Sequence, residues 1–317
     1  MFDRRIWIMG CGLLCSVCVF ADDTHNTWLD NTHKSTTSWL ARTAHRIDDW
    51  FGKTDPQKPA RASVRVMLDI HHDKYGSSIQ PRVRGKLRLP TLEQRLSVMV
   101  GDDDLDDEHG GGIHNDGRPL PAGERVFDRA QSSKDNASLA LRWSKVEKNL
   151  GINSDADIGL RSNDIFLRVQ AQKMWQTGSI HGRAEQSYRY GTKSEHFALS
   201  TLEFHRQQSK QRTLYNRSHI AYTHKHDDEQ LSWSNSSYQQ HTWQGKHGER
   251  SFSYGVYMSG KFDDNKPTLT TYGPYLSYRQ PLWREWLFVQ TDISYYNDKK
   301  HHKNHHLAGF GRIEMVF

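Results

Sequence analysis

From residue 61 to the end of the chain, hydrophobic and polar residues alternate with a period of two. In the segment SVRVMLDI, Val64, Val66 and Leu68 fall on one side, opposite Arg65 and Asp69. Successive side chains of a β-strand point to opposite faces of the sheet. The pattern therefore predicts strands with one face suited to hydrocarbon and the other suited to water.

Fourteen segments carry this alternation and are predicted as strands. They lie near 62–72, 77–89, 94–101, 136–146, 150–161, 165–176, 179–190, 195–208, 213–225, 229–241, 250–261, 268–280, 285–297 and 307–317. The segments 195–208, 213–225 and 229–241 alternate less cleanly than the others. A twelve-stranded sheet stays open as an alternative if two weak segments are loops.

Residues 22–60 follow a different period. Between positions 38 and 51, Trp39, Ala44, Ile47 and Trp50 recur at spacings near three and four, which predicts one amphipathic helix. Ser38 can cap its start, and the glycine at position 52 can end it. The following KTDPQKPA reads as a breaker and linker. We therefore predict a segment 22–60 with helix 38–51, ahead of a domain 61–317.

The strand series predicts an all-β fold, a closed antiparallel transmembrane β-barrel. Strands of about ten residues match the length that crosses hydrocarbon at a tilt. Lipid offers no partner to backbone amides, so a sheet can cross only if its edges are joined. Aromatic residues collect at strand ends, as at a lipid headgroup level: Trp143, Trp175, Trp243, Trp283, Trp286, Tyr295 and Tyr296. An exported soluble β protein is the alternative.

The amino terminus indicates that the protein is exported. Two arginines precede an apolar run, and residues 1–21 read as a secretory signal peptide. A lipoprotein signal that uses Cys11 is the alternative. All three cysteines, at positions 11, 15 and 18, lie in this segment. The formal net charge of +6 does not indicate nucleic acid as a partner, because the basic residues follow a strand period in an exported chain.

The last seven residues, GRIEMVF, end a chain of mean hydropathy −0.85 on an apolar alternation. Here the chain resembles Gram-negative outer-membrane β-barrel proteins of the porin type, whose last strand ends in phenylalanine with apolar residues two and four positions earlier. Ile313, Met315 and Phe317 match that pattern; Arg312 departs from it. The resemblance implies an outer-membrane location and recognition of these residues by the barrel-assembly machinery. It also implies that outer-membrane lipids and lipopolysaccharide surround the barrel. It identifies no subfamily and no oligomeric state.

The water-facing side of the predicted strands is rich in charge. Its cations are Arg65, Arg82, Arg84, Lys86, Arg88, Arg142, Arg168, Arg183 and Arg189, and its anions are Asp69, Asp155, Asp157, Glu185, Asp292 and Glu314. Successive inward cations about 7 Å apart would attract anions into a wet channel. The other interpretation is a set of salt bridges that brace or fill the lumen. The helix 38–51 could plug the pore or lie at the membrane interface.

Two loops carry candidate metal ligands. Asp102, Asp104 and Asp106 belong to an acidic stretch with hard oxygen ligands, but its spacing is not that of an EF-hand, so a solvated loop is favoured. The stretch KKHHKNHH holds His301, His302, His305 and His306 among lysines that repel a cation. We predict no cofactor.

No serine with a histidine two residues away on the lipid-facing side, the arrangement that outer-membrane lipid hydrolases use, stands out in the sequence. Ser218 and His219 are adjacent and so fall on opposite faces. A pair assembled from different strands stays open. The sequence therefore predicts a passive channel for small polar or anionic solutes. A non-conducting surface or assembly barrel and a lipid-modifying enzyme are the alternatives.

Overall fold

The fold was analysed in a computed structural model that describes residues 27–51, 60–74, 76–89, 96–101, 138–147, 151–161, 164–226, 228–264, 266–298 and 304–317. The predicted signal peptide 1–21 lies outside the described residues, as do Asp102, Asp104, Asp106, His301 and His302. The described chain contains one helix, α1, and fourteen strands. Within it, no helix combines the length and the apolar character needed to cross a bilayer.

The strands follow one another closely along the chain. They are β1 (Arg61–Asp73), β2 (Gly76–Leu89), β3 (Leu96–Val100), β4 (Ser138–Glu147), β5 (Ile152–Arg161), β6 (Asp164–Thr177), β7 (Ile180–Gly191), β8 (Glu195–Ser209), β9 (Arg212–Lys225), β10 (Asp228–Gly245), β11 (Gly248–Asp263), β12 (Lys266–Pro281), β13 (Leu287–Asp298) and β14 (His305–Val316). The prediction of fourteen strands is confirmed, and the twelve-strand alternative is wrong.

Each strand pairs antiparallel with its sequence neighbours, and β14 pairs with β1, so the sheet closes into a barrel. At the seam Asp69 lies opposite Arg312 and Val66 opposite Met315. The closing pair continues past β14, because Phe317 and Val64 exchange backbone hydrogen bonds of 2.8 and 3.1 Å. With an even number of strands, Arg61 and Val316 lie at the same end, here called the terminal end. The opposite end is called the loop end.

Helix α1 (Trp28–Phe51) is longer than predicted, and the expected start at Ser38 is wrong. Thr27 and Asp30 cap each other: the Thr27 amide donates to Asp30 Oδ2 at 2.8 Å, and the Asp30 amide donates to Thr27 Oγ1 at 3.4 Å. This reciprocal pair satisfies two orphan amides at the first turn. Ser38 is an exposed residue inside the helix. The spacing of threonine and aspartate in TWLD was the sequence signal for the true start.

The helix is attached to the terminal end of the barrel. Arg284, in the turn between β12 and β13, donates to both Asp30 oxygens at 2.7 and 2.9 Å. The His33 ring stacks on Trp286 and on Phe317, with ring centroids 4.2 and 5.1 Å apart. These contacts fix the first turns of α1 against the turn between β12 and β13 and against the end of the chain after β14.

One side of α1 is buried and the opposite side is exposed. Ala44 and Asp48 are 1% and 0% exposed, whereas Trp28, Trp39 and Trp50 are 73%, 57% and 80% exposed. Because eleven residues make about three helical turns, the three tryptophans fall in one line. Placement of the helix at the membrane interface or in the lumen stays a prediction.

Candidate functional site: the inward face of the barrel

Neighbouring residues along each strand face opposite sides of the wall. On β6, Phe166 and Arg168 are at most 2% exposed, whereas Ile165 and Leu167 are each 54% exposed. The polar set therefore points inward, and the apolar set covers the exterior over most of the circumference. A closed sheet pairs every edge, and an apolar exterior suits hydrocarbon. The fold is that of a transmembrane β-barrel.

A buried cluster, called the seam triad, joins the three strands around the closure. Arg312 donates to Asp69 through Nε at 2.6 Å and through a terminal nitrogen at 2.7 Å. The Nε atom of Arg82 on β2 lies 3.3 Å from Oδ2 of the same carboxylate, an oxygen that also accepts from Arg312. All three side chains are at most 4% exposed. Asp69 is therefore shared by two guanidinium groups.

The same arrangement recurs on β4, β5 and β6, and is called the second triad. Arg142 makes a two-pronged contact with Asp157, at 2.7 and 2.9 Å. Arg168 contacts the same carboxylate at 2.6 and 2.7 Å. Residues Arg142, Asp157 and Arg168 occupy neighbouring register positions. A carboxylate on the middle strand again serves an arginine on each side.

A third cluster, the rim triad, lies nearer the terminal end. Glu314 accepts a hydrogen bond from Arg279 at 2.7 Å and lies 4.0 Å from Arg65. These residues line a cleft of about 390 Å³ together with Trp286 and Phe288. Glu314 is buried, but Arg65 and Arg279 are 26% and 18% exposed. This triad therefore brings positive charge to the water-accessible side of the wall.

The three triads share one electrostatic property. Each has two guanidinium groups around one carboxylate, so each carries net positive charge as long as the carboxylate is ionised. Each also joins adjacent or next-adjacent strands, so these ion pairs run along the wall. The triads therefore place more guanidinium groups than carboxylates on these parts of the inner wall, which favours a positive local potential there.

The remaining predicted wall residues are distributed along the same face. Arg84, Arg183 and Arg189 are buried, Lys86 and Asp155 are half-buried, and Arg88 is exposed. Arg183 pairs with Glu185, and Asp292 accepts hydrogen bonds from Ser277 at 2.5 Å and Gln290 at 2.9 Å.

Sequence reasoning missed several members of this face. Arg312 and Arg279 complete two triads, and Arg217 lies 3.9 Å from Glu203 on β8. Arg312 was treated only as a departure from a terminal pattern. The alternation itself could have identified Arg312 as an inward residue, because it lies between the outward positions Gly311 and Ile313.

Tyrosines cluster on the inner face of β9 to β12, beside the charged residues Arg217 and Arg279. Tyr215, Tyr238, Tyr257 and Tyr275 form one buried cluster. The rings of Tyr215 and Tyr238 stack with centroids 4.8 Å apart, and Tyr275 and Ser236 share a 2.9 Å hydrogen bond. This part of the inner wall therefore combines a tyrosine cluster with charged residues.

The described residues of the histidine loop do not converge. His305 stacks on Tyr295, and His306 contacts Tyr296, on opposite faces of the sheet. Among the residues that the structure describes, no group of three potential ligand side chains is arranged to hold a metal ion.

A serine–histidine pair does occur, between strands rather than along one. His72 Nδ1 and Ser77 Oγ are 2.7 Å apart, directly opposite each other on β1 and β2. Both are exposed, and both lie on the outward face close to the loop end. Single-strand spacing could not reveal this pair, because it depends on the register of the hairpin.

No protein-family model matches the chain. No curated protein matches its sequence. The structure is similar to OmpT, an outer membrane protein of Vibrio cholerae, with a TM-score of 0.46, 8% identity, and 81% of this chain and 99% of that chain covered. It is similar to OprB of Pseudomonas putida, with a TM-score of 0.44, 9% identity, and coverage of 81% and 92%. For the KdgM porin the values are 0.36, 8%, 80% and 99%. These likenesses concern the fold alone.

Proposed function

We propose that this transmembrane β-barrel lies in the outer membrane of a Gram-negative bacterium and is a passive channel that prefers small anionic solutes. The observation that carries the proposal is the two-to-one ratio of guanidinium to carboxylate in the seam, second and rim triads. In a wall lined this way, the arginines stabilise an anion that enters the lumen, whereas they repel a cation.

The ion pairs run along the wall of the barrel, which also supports the passage of solutes through the lumen. The three triads link neighbouring parts of the wall, so they stiffen it without bridging the lumen. The partly exposed members, Arg65 and Arg279, lie at the terminal end beside the cleft at Trp286. With the predicted periplasmic amino-terminal segment, this end faces the periplasm. Anions would thus meet accessible arginines at that mouth.

Planar-bilayer recording of the purified full chain tests the proposal. In a salt gradient, we expect open steps whose reversal potential shifts toward that of chloride. A double variant, Lys86→Glu with Arg88→Glu, changes accessible inward charges and should lower the chloride-to-potassium permeability ratio. Arg206→Glu makes the same kind of charge change on the outward side of β8 and should leave that ratio unchanged. A silent membrane, or a cation-selective wild type, would refute the anion channel.

A second function is favoured by one specific contact, the outward Ser77–His72 pair. A histidine within hydrogen-bond reach of a serine can take its proton, and the pair faces the lipid side near the loop end. The corresponding reaction is hydrolysis of a lipid ester: the serine oxygen displaces the alcohol, and water then releases the acid. This would make the protein a lipid-modifying enzyme.

Release of labelled fatty acid from phospholipid or lipopolysaccharide distinguishes the two functions. Ser77→Ala should abolish release, whereas Ser78→Ala, on the inward side of the same strand, should not. Release that is absent from the wild type, or equal in both variants, removes the enzyme proposal. Neither result affects the conductance test.

A further inference from the structure

Helix α1 packs against β1 and β2, and the exposure of β1 shows which face of the wall the helix covers. Along most of this strand the outward residues are exposed and the inward residues are buried. Near the terminal end this order is reversed. Arg61 and Ser63, on the inward face, are exposed, whereas the outward neighbour Val64 is half-buried. Val66, two positions further along the outward face, is 39% exposed. The helix therefore covers the outer side of the wall and leaves these inward residues uncovered.

The neighbouring strand β2 shows the same reversal. Arg88, on the inward face, is exposed, whereas Leu87, the register partner of Ala62, faces outward and is half-buried. Further along the outward face, Val83 is 49% exposed. On β13, on the other side of the seam, the outward Leu287 is 3% exposed. Outward residues are therefore covered at the terminal end on both sides of the seam.

The first turns of α1 reach the barrel from the same side. The His33 ring stacks on Phe317 with centroids 5.1 Å apart, and His33 Nε2 lies 2.9 Å from the Val316 carbonyl oxygen. Phe317 and Val64 exchange backbone hydrogen bonds. Direct partners in a sheet share one face, so Phe317 faces outward like Val64. Helix α1 therefore lies beside the rim, on the outer side of the wall.

The surface of α1 is divided into an apolar and a polar sector. Successive helical residues are about 100° apart, so Trp28, Trp39 and Trp50, here called the tryptophan line, lie about 140° from the buried Ala44. Half-buried apolar residues fill the sector between that line and Ala44: Leu29, Leu40 and Ile47. Exposed polar residues occupy the rest of the circumference: Asn31, Lys34, Ser38, Arg42 and Asp49. The apolar sector is therefore wider than the side that the barrel covers.

The tryptophan line has the chemistry of a lipid-contacting surface. Its three rings are 73%, 57% and 80% exposed. An indole ring combines a large apolar area with one N–H donor, which suits the boundary between hydrocarbon and lipid headgroups. Because α1 lies on the outer side of the wall, the line is continuous with an exterior that is already suited to hydrocarbon.

The charges of α1 favour the same surroundings. Its exposed ionised residues are Lys34, Arg42, Arg46 and Asp49, whereas Asp30 and Asp48 are buried. The exposed surface of the helix therefore carries three cations and one anion. A helix with this charge and an apolar sector binds to the surface of a bilayer that contains anionic phospholipids.

We infer that α1 anchors the terminal end of the barrel to the phospholipid leaflet around it. The helix lies in the headgroup layer, with the Ala44 side against the barrel, the tryptophan line in lipid and the polar sector in water. In this position α1 does not plug the lumen. The inference needs a barrel that spans a bilayer, and it does not depend on whether that barrel conducts or hydrolyses lipid.

Spin labelling of the full chain in vesicles of phosphatidylethanolamine and phosphatidylglycerol tests the anchor. The cysteines of the sequence, at positions 11, 15 and 18, are changed to serine, and a nitroxide is attached to Thr32→Cys or to Ala41→Cys. Both positions are exposed. Thr32 falls on the tryptophan line, about two turns before Trp39, whereas Ala41 lies on the opposite side of the helix.

Oxygen concentrates in lipid and a nickel chelate stays in water, so their collision rates with the nitroxide report its surroundings. We expect oxygen to dominate at position 32 and the nickel chelate to dominate at position 41. The same preference at both positions, or the reverse preference, would overturn the inference.

A second variant tests the tryptophans themselves. Changing Trp28, Trp39 and Trp50 together to serine should abolish the oxygen preference at position 32, with the barrel still heat-modifiable on gels. Trp143→Ser removes a ring that is 54% exposed on the outward face of β4 and should leave that preference unchanged. An unchanged preference in the folded triple variant would contradict the inference. Neither result affects the conductance test.

Discussion

Arg312, in the last strand, donates two hydrogen bonds of 2.6 and 2.7 Å to Asp69 in the first strand. The two residues are direct partners in the register of the seam that closes the barrel. Parallel hydrogen bonds between a guanidinium and a carboxylate are directional as well as strong. The closure is therefore fixed by side chains in addition to the backbone ladder.

Replacement of Asp69 by alanine should strongly destabilise the barrel. It would leave Arg312 and Arg82 buried without their shared carboxylate, and removal of one partner from a buried pair costs about 3 to 5 kcal/mol. The free energy of unfolding is measured by urea titration in lipid vesicles with tryptophan fluorescence.

Glu147→Ala is the matched control, because Glu147 pairs with Lys145 at 3.6 Å where both side chains are exposed. An exposed pair contributes about 0 to 1 kcal/mol. If the two variants lost the same free energy of unfolding, the seam triad would not be a stabilising element.

Replacement of Asp155 by asparagine should raise the preference for anions. Asp155 is half-buried on the inward face of β5, so the change removes negative charge from the lumen and leaves the second triad in place. The reversal potential in a salt gradient should move further toward that of chloride. Asp263→Asn, at the exposed end of β11, should change it less. A shift toward potassium at Asp155 would contradict a charge-selective lumen.

Attachment of the helix should depend on pH. The hydrogen bonds from Arg284, with that of the Thr27 amide, hold the pKa of Asp30 well below its usual range. A carboxyl with a lower pKa in the folded protein stabilises it fully at pH values above the unfolded pKa, about 4. This contribution falls as the pH drops below that value and is lost once the pH passes through the folded pKa.

Hydrogen–deuterium exchange of residues 28–40, corrected for intrinsic rates, measures that attachment. Asp30→Asn and Arg284→Ala should raise exchange at pH 7, and the wild type should show raised exchange only under acidic conditions. Arg42→Ala, an exposed position of the same helix, should behave like the wild type. Unchanged protection from exchange in both Asp30→Asn and Arg284→Ala would show that other contacts hold α1.

Replacement of Gly255 by alanine should destabilise the barrel, although glycine has no side chain to lose. An added Cβ would lie 2.4 Å from the Ser237 carbonyl oxygen and 2.5 Å from Tyr238 Cβ. The backbone would have to shift, at a cost of about 1 to 3 kcal/mol. At Gly311 an added Cβ meets nothing within 4 Å, so Gly311→Ala should be close to neutral. Thermal unfolding of both variants compares them, and equal midpoints would refute the close approach at Tyr238.

The sequence by itself determined the strands and their two faces. Alternation is a local property, because the polarity of each side chain indicates the face of the wall on which it lies. All fourteen strands could be located from this pattern. The same local rule placed Arg142, Arg168 and Asp157 on the inner face. Alternation was weak on β8, β9 and β10, because polar side chains such as Asn216 and Asn235 also lie on the outward face there.

Only the tertiary structure decided which charges meet. Asp69 could have been shared by other arginines of the inner face, and its pairing with Arg312 exists because closure brings β14 beside β1 in one register. The attachment of the helix to the barrel was settled by Arg284, which lies 254 positions away from Asp30. Ser77 and His72 likewise meet only through the hairpin register. Contacts between distant positions depend on how the whole sheet closes, and no local period encodes that geometry.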